Sequence, residues 1–444
     1  MSARLLAPSL QSVGRYTLTV NITGSGTGRV ISTPQGIDCP TTCSASFAPG
    51  SSVSLTATPD PLSRHRGWAG ACSSSPCVLT MTADTDVSTT FEPPRYAVID
   101  LGPGGGLDVS AGAISAGGRN VAGIVTGPTP DRGLRGFVWD GAMHDLGSDK
   151  VVFASAVNDS GLVAGSWFTS GFSKQHAFRW RSGTFTDLGT LGGESSEAGG
   201  MNRDGIVVGV AARADGRSHA VYWGSSGMVD LGSLGDGADS TASGINSDGV
   251  IVGDSELGMP APATPGAMIL DATPLSPSRP PPRHPVRFRG PGAIDDLGTL
   301  GGTYGYAAAI NDSGTIVGSS SLAGDRVYHG FLYEGGRMID AGTLPGMEYS
   351  YFTAINAAGI AVGHSFNSSS GFANVVYGGG KMLNLDDLVE DKFYGIARVA
   401  GIDDAGNIVA TGYTTTMRGR CCSSRNSAAT PRTAARRHCM PGQH

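Results

Sequence analysis

The 444-residue sequence predicts an all-β protein: a seven-unit β-propeller of four-stranded blades, one blade shared by both termini, preceded by a small β-rich module. Three observations carry this expectation. A nine-residue phrase, 310–318 (Ile-Asn-Asp-Ser-Gly-Thr-Ile-Val-Gly), recurs with its anchor at Ser115, Asn158, Asn202, Asn246, Asn311, Asn356 and Asp403, in steps of 43, 44, 44, 65, 45 and 47 residues. A period in the mid-forties marks a propeller or a solenoid. Glycine, at 69 residues, is far above ordinary usage without a Gly-X-Y period, which many tight turns between short strands require. The array also opens with a lone strand at 96–102 and stops after 401–413 without its closing strand, so the two ends complement each other and remove exposed edges. An open β-solenoid is the alternative with the same period.

Composition narrows the function classes. The formal charge of −6 includes a C-terminal stretch, 417–444, with six Arg and no acid; the remainder holds 25 cations against 37 acids, a net −12. An acidic body argues against nucleic acid as partner. No apolar run reaches eighteen residues, so no membrane span is expected. Residues 1–8 lack an apolar stretch of signal-peptide length.

In chain order, residues 1–15 are expected to be disordered and 16–92 to form the first module. Strand-period alternation marks 16–22, 52–57, 77–81 and 87–91, with Trp68 as the aromatic anchor. Cys39 and Cys43 lie close together, as do Cys72 and Cys77. Four thiols in pairs fit two short disulfide loops or a tetrahedral zinc site. No His or acid flanks the pairs in a metal-like way, which favours disulfides and an oxidising compartment.

The run Leu18-Thr19-Val20, Gly24-Ser25-Gly26-Thr27-Gly28, Gly36-Ile37-Asp38-Cys39, Cys43 to Phe47, Val53 to Pro59 and Gly67-Trp68-Ala69-Gly70-Ala71-Cys72 resembles a divergent internalin-B-type repeat. That resemblance implies a small β-rich spacer or presentation module of bacterial secreted and surface proteins, and no chemistry.

Pro93-Pro94 reads as a short linker. The array spans 93–416. Each unit reads as an Asp-Leu-Gly strand such as 184–189, then 197–202, then 206–209, then a strand such as 219–223. The anchor phrase is a turn: Asn158, Asn202, Asn246, Asn311 and Asn356 supply side-chain turn hydrogen bonds, and the following Gly tolerates positive φ. Four before the anchors stand Ala111, Ala154, Ala198, Ala242, Ala307, Phe352 and Val399, mostly small, as strands crowding toward an axis require. His176, His219, His284 and His329 head the last strand of four units, each expected to satisfy a local backbone group. Aromatics two and four places on pack between blades. The 65-residue step is explained by a proline-rich surface loop at 258–283. Residues 417–444 lose the strand pattern and read as a disordered basic tail, as a frameshifted or truncated end would.

The pattern Asp187-Leu188-Gly189-Thr190-Leu191-Gly192-Gly193 followed by Met201 to Gly209, with His176-Ala177-Phe178 before it, resembles the HAF-repeat family of bacterial probable extracellular proteins, and 296–302 matches it best. The resemblance implies an extracellular repeat protein and no molecular activity.

No catalytic signature emerges. The four histidines repeat once per unit and so diverge, whereas metal ligands must converge. The anchor turns offer too few oxygens for a calcium loop. Gly102 to Gly106 lacks the ending of a phosphate loop. Asp295-Asp296 and Asp386-Asp387 put adjacent carboxylates on opposite sides of a strand, unlike a glycosidase pair. The expectation is therefore an exported surface or extracellular scaffold without cofactor or metal, binding a protein or carbohydrate through its variable loops, with an upstream start reconciling export with the absent signal. The alternative is a propeller enzyme acting on extracellular polysaccharide, for which Arg326, Tyr328, Glu334, Tyr349 and Tyr351 are the single-unit departures that would supply a site.

Overall fold

Every second side chain of Gly28–Thr33 is buried, and in Thr85–Glu92 Val87, Thr89 and Phe91 point inward, so alternation in the N-terminal module produces strands with one dry face. In the computed structural model, which describes residues 14–102, 108–126, 134–147, 151–168, 174–258, 281–369, 371–390 and 394–414, these strands form two four-stranded sheets. One runs Ser44–Phe47, Tyr16–Thr23, Thr85–Glu92, Arg64–Gly70, its two central strands parallel. The other runs Asp38–Cys39, Gly28–Thr33, Ser52–Pro59, Cys77–Thr80. Between them Leu18, Val30, Val53, Leu55, Met81 and Phe91 form a dry core. Cys39 is joined to Cys43 and Cys72 to Cys77.

The rest of the described chain forms a ring of sheets. Six are four-stranded, with innermost strands Asp108–Ile114, Val152–Val157, Gly192–Met201, Ser240–Ile245, Gly301–Ile310 and Tyr349–Ile355 (blades 1 to 6). Blades 4 and 5 are joined edge to edge by a bridge from Arg283 to Tyr304. A last sheet pairs Tyr394–Ile402 with Ile408–Thr414, two strands among the described residues. Each innermost strand packs on the next, and the last packs back on Asp108–Ile114. The ring is closed by a hydrogen bond between the Ser110 and Thr411 hydroxyls (3.1 Å) and one from the Asp404 N–H to Ala116 O (2.9 Å). The protein is an all-β propeller-type ring rather than an open stack.

The phase of the units differs from the sequence reading. The Asp-Leu-Gly strand does not open a unit; it is the outermost strand of the preceding blade, as Thr184–Asp187 pairs with Gln175–Arg181. Ser182 and Gly183, at φ 49° and 86°, make a tight hairpin between these two strands, and a hairpin pairs its neighbours before any distant sheet can. The segment 96–102 also differs. Its pairing is confined to Tyr96, bridged to Val389, while Ile99 is 80% exposed. The last sheet offers it no third strand among the described residues. Leu101 instead packs at the seam with Val121, Phe137 and Val409.

The repeated glycine that ends each phrase has a structural cause. Every inner strand of blades 2 to 6 carries a bulge just after the residue four before the anchor, such as between Ala198 and Gly200. The bulge presses a carbonyl onto the second strand. A Cβ at Gly209 would lie 2.0 Å from Glu197 O, and Gly165, Gly253, Gly318 and Gly363 are the same. Only glycine fits there.

The module is seated on blade 6. Leu62, at φ 60°, is buried with Val362, Val376, Leu385 and Leu388, and Lys381 Nζ donates to Thr27 Oγ1 (3.2 Å). Of the proline-rich loop, residues 259–280 lie outside the described residues, as do 1–13 and the tail from 415 on.

Candidate functional site

The anchor turns ring one end of the axis, and their asparagines do more than shape a turn. Asn202 Oδ1 accepts from the Ile206 N–H (3.0 Å) inside its own turn, while Nδ2 donates to Asn246 O (3.3 Å) in the next blade. Asn246 passes the bond to Asn311 O (3.2 Å), Asn311 to Asn356 O (3.0 Å) and Asn356 to Asp403 O (3.0 Å). Asn158 reaches Arg203 O (3.2 Å), and Asn120 stands in for Ser115 by reaching Asn158 O (2.9 Å). Asp403 has no side-chain N–H to offer, and at that seam the Asp404 backbone N–H makes the link. These six asparagines are all buried, and apart from the part-buried bond of Asn158 to Arg203 O their ties between blades are made away from water. Replacing Asn311 by Ala strips the half-buried Thr315 N–H of its acceptor and cuts the tie to blade 6. We expect a loss of about 1–3 kcal/mol in urea unfolding, against no measurable change for Ser313→Ala on the same turn.

One residue further on, charge gathers over this mouth. Asp312 accepts from the Ser247 N–H (2.9 Å), Asp404 from Ala357 N–H (2.9 Å) and Asp159 from Gly117 N–H (2.9 Å), each an inter-blade contact. Arg203 crosses the mouth to Asp404 (2.7 Å) and lies 3.8 Å from Asp312. The cavity beneath is small, about 120 Å³. This end is tied shut by its own groups.

Along the axis behind it runs a channel of about 590 Å³. Its wall is made by the two residues at each bulge: Gly112 and Ala113, Ser155 and Ala156, Gly199 and Gly200, Ser243 and Gly244, Ala308 and Ala309, Thr353 and Ala354, Ala400 and Gly401. Of the residues four before the anchors, Ala111, Ala154 and Val399 also line this channel. Ala198, Ala242, Ala307 and Phe352 are buried between blades instead, packed in the inter-blade clusters.

At the opposite end, the residues five before the anchors are Ser110, Phe153, Glu197, Thr241, Tyr306, Tyr351 and Arg398. Ser110, Phe153 and Arg398 line the channel; Glu197, Tyr306 and Arg398 are exposed to water. Partial desolvation raises the pKa of Glu197. Burial raises Tyr351 as well, with Arg398 pulling it back and Tyr306 adding to the rise. Behind Tyr351 the His364 ring lies 4.9 Å away, fully buried, and its pKa is lowered to about 4, first by burial and then by the Arg398 charge. In blade 4 the second strand carries buried Asp254, raised by desolvation and held by an ion pair with Arg283.

The histidines singled out in the sequence lie elsewhere, toward the outer strands. His176 Nδ1 bonds Asp187 (2.8 Å), His219 Asp230 (2.8 Å), His284 Asp296 (2.9 Å) and His329 Asp340 (2.8 Å). Their partner is the carboxylate of the Asp-Leu-Gly strand rather than a backbone group. The same carboxylate accepts the N–H two residues on, as Asp187 does from Gly189 (2.8 Å). In blade 1, Arg135 takes the place of His and pairs with Asp145. Among the described residues no group of three or more His, Cys, Asp or Glu is placed to hold a metal, and no helix is long and apolar enough to cross a membrane.

Of the five single-unit departures, Tyr351 stands at the mouth and Tyr349 stacks on Phe366 (5.0 Å) next to it. Tyr328 lies opposite Ser321 on the third strand, and Glu334 faces Arg337 across an outer hairpin. They do not form one cluster. Glu197, Tyr306 and Arg398 escape a search for unusual residues, because each is ordinary alone. Reading down the column five before the anchor finds them: seven units carry six different side chains, with tyrosine alone repeated.

Residues 16–95 match the family model described as a divergent InlB B-repeat domain. No curated protein matches the chain. Among solved structures, the chain is similar to the β-propeller domain of the trilobed protease from Pyrococcus furiosus, at 10% identity over 70% of this chain and 92% of that one, with a TM-score of 0.46. TolB from Acinetobacter baumannii is similar at 13% identity over 62% of this chain and 63% of that one, TM-score 0.38. The six-bladed fucose-recognising lectin of Aleuria aurantia is similar at 13% identity over 75% of this chain and 97% of that one, TM-score 0.30.

Proposed function

We propose that the chain is an exported bacterial repeat protein of the HAF type, whose ring is a non-enzymatic binding scaffold carried beside an InlB-type presentation module. One observation supports the reading above others. Four before the anchor, five of seven residues are alanine, and at the anchor five of seven are asparagine, yet the column five before it holds no residue type twice except tyrosine. A scaffold repeats what holds it together and diversifies what meets a ligand. The diversified residues stand at the open end of a channel large enough for a small ligand or the end of a longer one. The proline-rich loop remains a proposed second contact surface. A polysaccharide hydrolase takes two carboxylates, and this column supplies one, Glu197.

The test is binding of the purified full chain to panels of immobilised extracellular polysaccharides and surface proteins. The double variant Tyr306→Ala/Tyr351→Ala is expected to weaken the strongest interaction at least about tenfold while a cooperative unfolding transition is retained, since aromatic contacts dominate such sites. New reducing ends released from any polysaccharide would overturn the non-enzymatic reading. Mass analysis of cell fractions tests export: the protein found only in the cytoplasm would overturn it.

A further inference from the structure

Resting on that reading of the mouth, we propose that it takes the carboxylate-bearing end of an acidic saccharide, with Arg398 as the carboxylate clamp and Tyr306 and Tyr351 as the platform for the sugar ring. Arg398 is the one cation in the column, on the innermost strand of the last sheet, lining the channel and open to water. Its guanidinium makes no ion pair or hydrogen bond among the described residues. Several other arginines of the ring are ion-paired: Arg203 with Asp404, Arg217 with Glu256, Arg283 with Asp254, Arg287 and Arg289 with Asp295; what sets Arg398 apart is that it is the one cation lining the channel. An uncompensated guanidinium in a channel walled by glycine, alanine, serine and threonine is a preformed fork for a carboxylate, worth more there than in open water. Its field is felt by its neighbours, lowering both His364 and Tyr351.

The aromatic partners sit on the adjoining blades. Tyr351, in blade 6, is held against His364 (4.9 Å) and Phe366 (6.0 Å), so its ring orientation is set before a ligand arrives. Tyr306, in blade 5, is 41% exposed. Phe153 lines the channel from blade 2, and Glu197 in blade 3 offers an acceptor for sugar hydroxyls. An apolar face, one cation and one hydroxyl acceptor match an acidic sugar, whereas a neutral sugar would leave the guanidinium unmatched. The acidic body disfavours a long polyanion lying across the surface, but its field is screened within about 10 Å at ordinary salt. A chain end entering the axis meets Arg398 as the one cation of the channel lining, while Asp404, the acid in that lining, is paired with Arg203.

The experiment is calorimetric titration of the full chain with tetragalacturonate and with the neutral galactotetraose. The uronate is expected to bind, and Arg398→Gln to weaken it by about ten- to a hundredfold while Arg398→Lys keeps part of the affinity. Thermal unfolding of the variants checks the fold. Equal binding of the two tetrasaccharides, no effect of Arg398→Gln, or no uronate binding at millimolar concentration would each overturn the proposal. The wider reading fails separately: it falls if Tyr306→Ala/Tyr351→Ala leaves every interaction found in the panels unchanged.

Discussion

Phe352→Ala is expected to lower the unfolding free energy by about 3–5 kcal/mol, the range for a large aromatic removed from a packed core. Phe352 is fully buried at the position where five of the other units carry alanine. It packs with Leu332, Leu344, Val375 and Tyr377, its ring 5.4 Å from that of Tyr377. The space for it comes from the neighbouring blade: a Cβ at Gly330 would stand 2.9 Å from the Phe352 ring. At the corresponding contacts Ala177 shares a cluster with Ala198, and Ala220 with Ala242. Gly330→Ala alone is therefore expected to cost about 1–3 kcal/mol by overpacking. In the Phe352→Ala background the same change should recover part of the loss. A urea-unfolding double-mutant cycle measures this coupling; simple additivity would mean the two residues do not fill one space.

The second large effect is acid destabilisation centred on His364. Both ring nitrogens are buried without a hydrogen bond, and the neighbouring Asn374 side chain is engaged with Ile396 O and the Val399 N–H. With the folded pKa lowered from 6.5 to about 4, the ring is neutral in the folded chain at pH 7. The unfolded chain takes up its proton first as pH falls below 6.5, so stability drops through the window from 6.5 down to about 4 and the full loss is present below it. A shift of this size corresponds to about 3 kcal/mol, most of it reached by pH 4.5. Other carboxylates titrate in the same window, so the readout is the difference from His364→Ser, the residue found at the equivalent Ser166 and Ser319. The variant should lose less stability than the parent between pH 7 and 4.5. Equal losses would mean that His364 is protonated in the folded state.

How much was legible depended on how local each feature is. Strands, hairpins and the anchor turn rest on alternation and on Asn-x-x-Gly spacing within a few residues, and they read correctly as an all-β repeat. The phase of the blades did not, because the choice between pairing 184–187 with the strand before or after it rests on the Ser182-Gly183 turn rather than on side-chain pattern. The histidines illustrate the next step in range. Their aspartate partners lie eleven or twelve residues on, inside the same hairpin, yet the bond is invisible until the register is known. The asparagine ties lie beyond any local reading, since Asn246 meets its acceptor 65 residues away.

The sequence by itself determined the unit: its period, its strand content, its turn chemistry and the separate cysteine-bearing module. It did so because these follow from side-chain alternation and backbone conformations fixed by glycine and asparagine over short spans. Only the tertiary structure decided that the units close into a ring and which column of residues faces the axis. Closure is a sum of small inter-blade rotations and long-range ties that no single unit records. The bulge that turns residues three and two before the anchor into the channel also leaves the column five before it exposed at the mouth. Glu197, Tyr306, Tyr351 and Arg398 became a candidate site only when four distant units were folded around one axis.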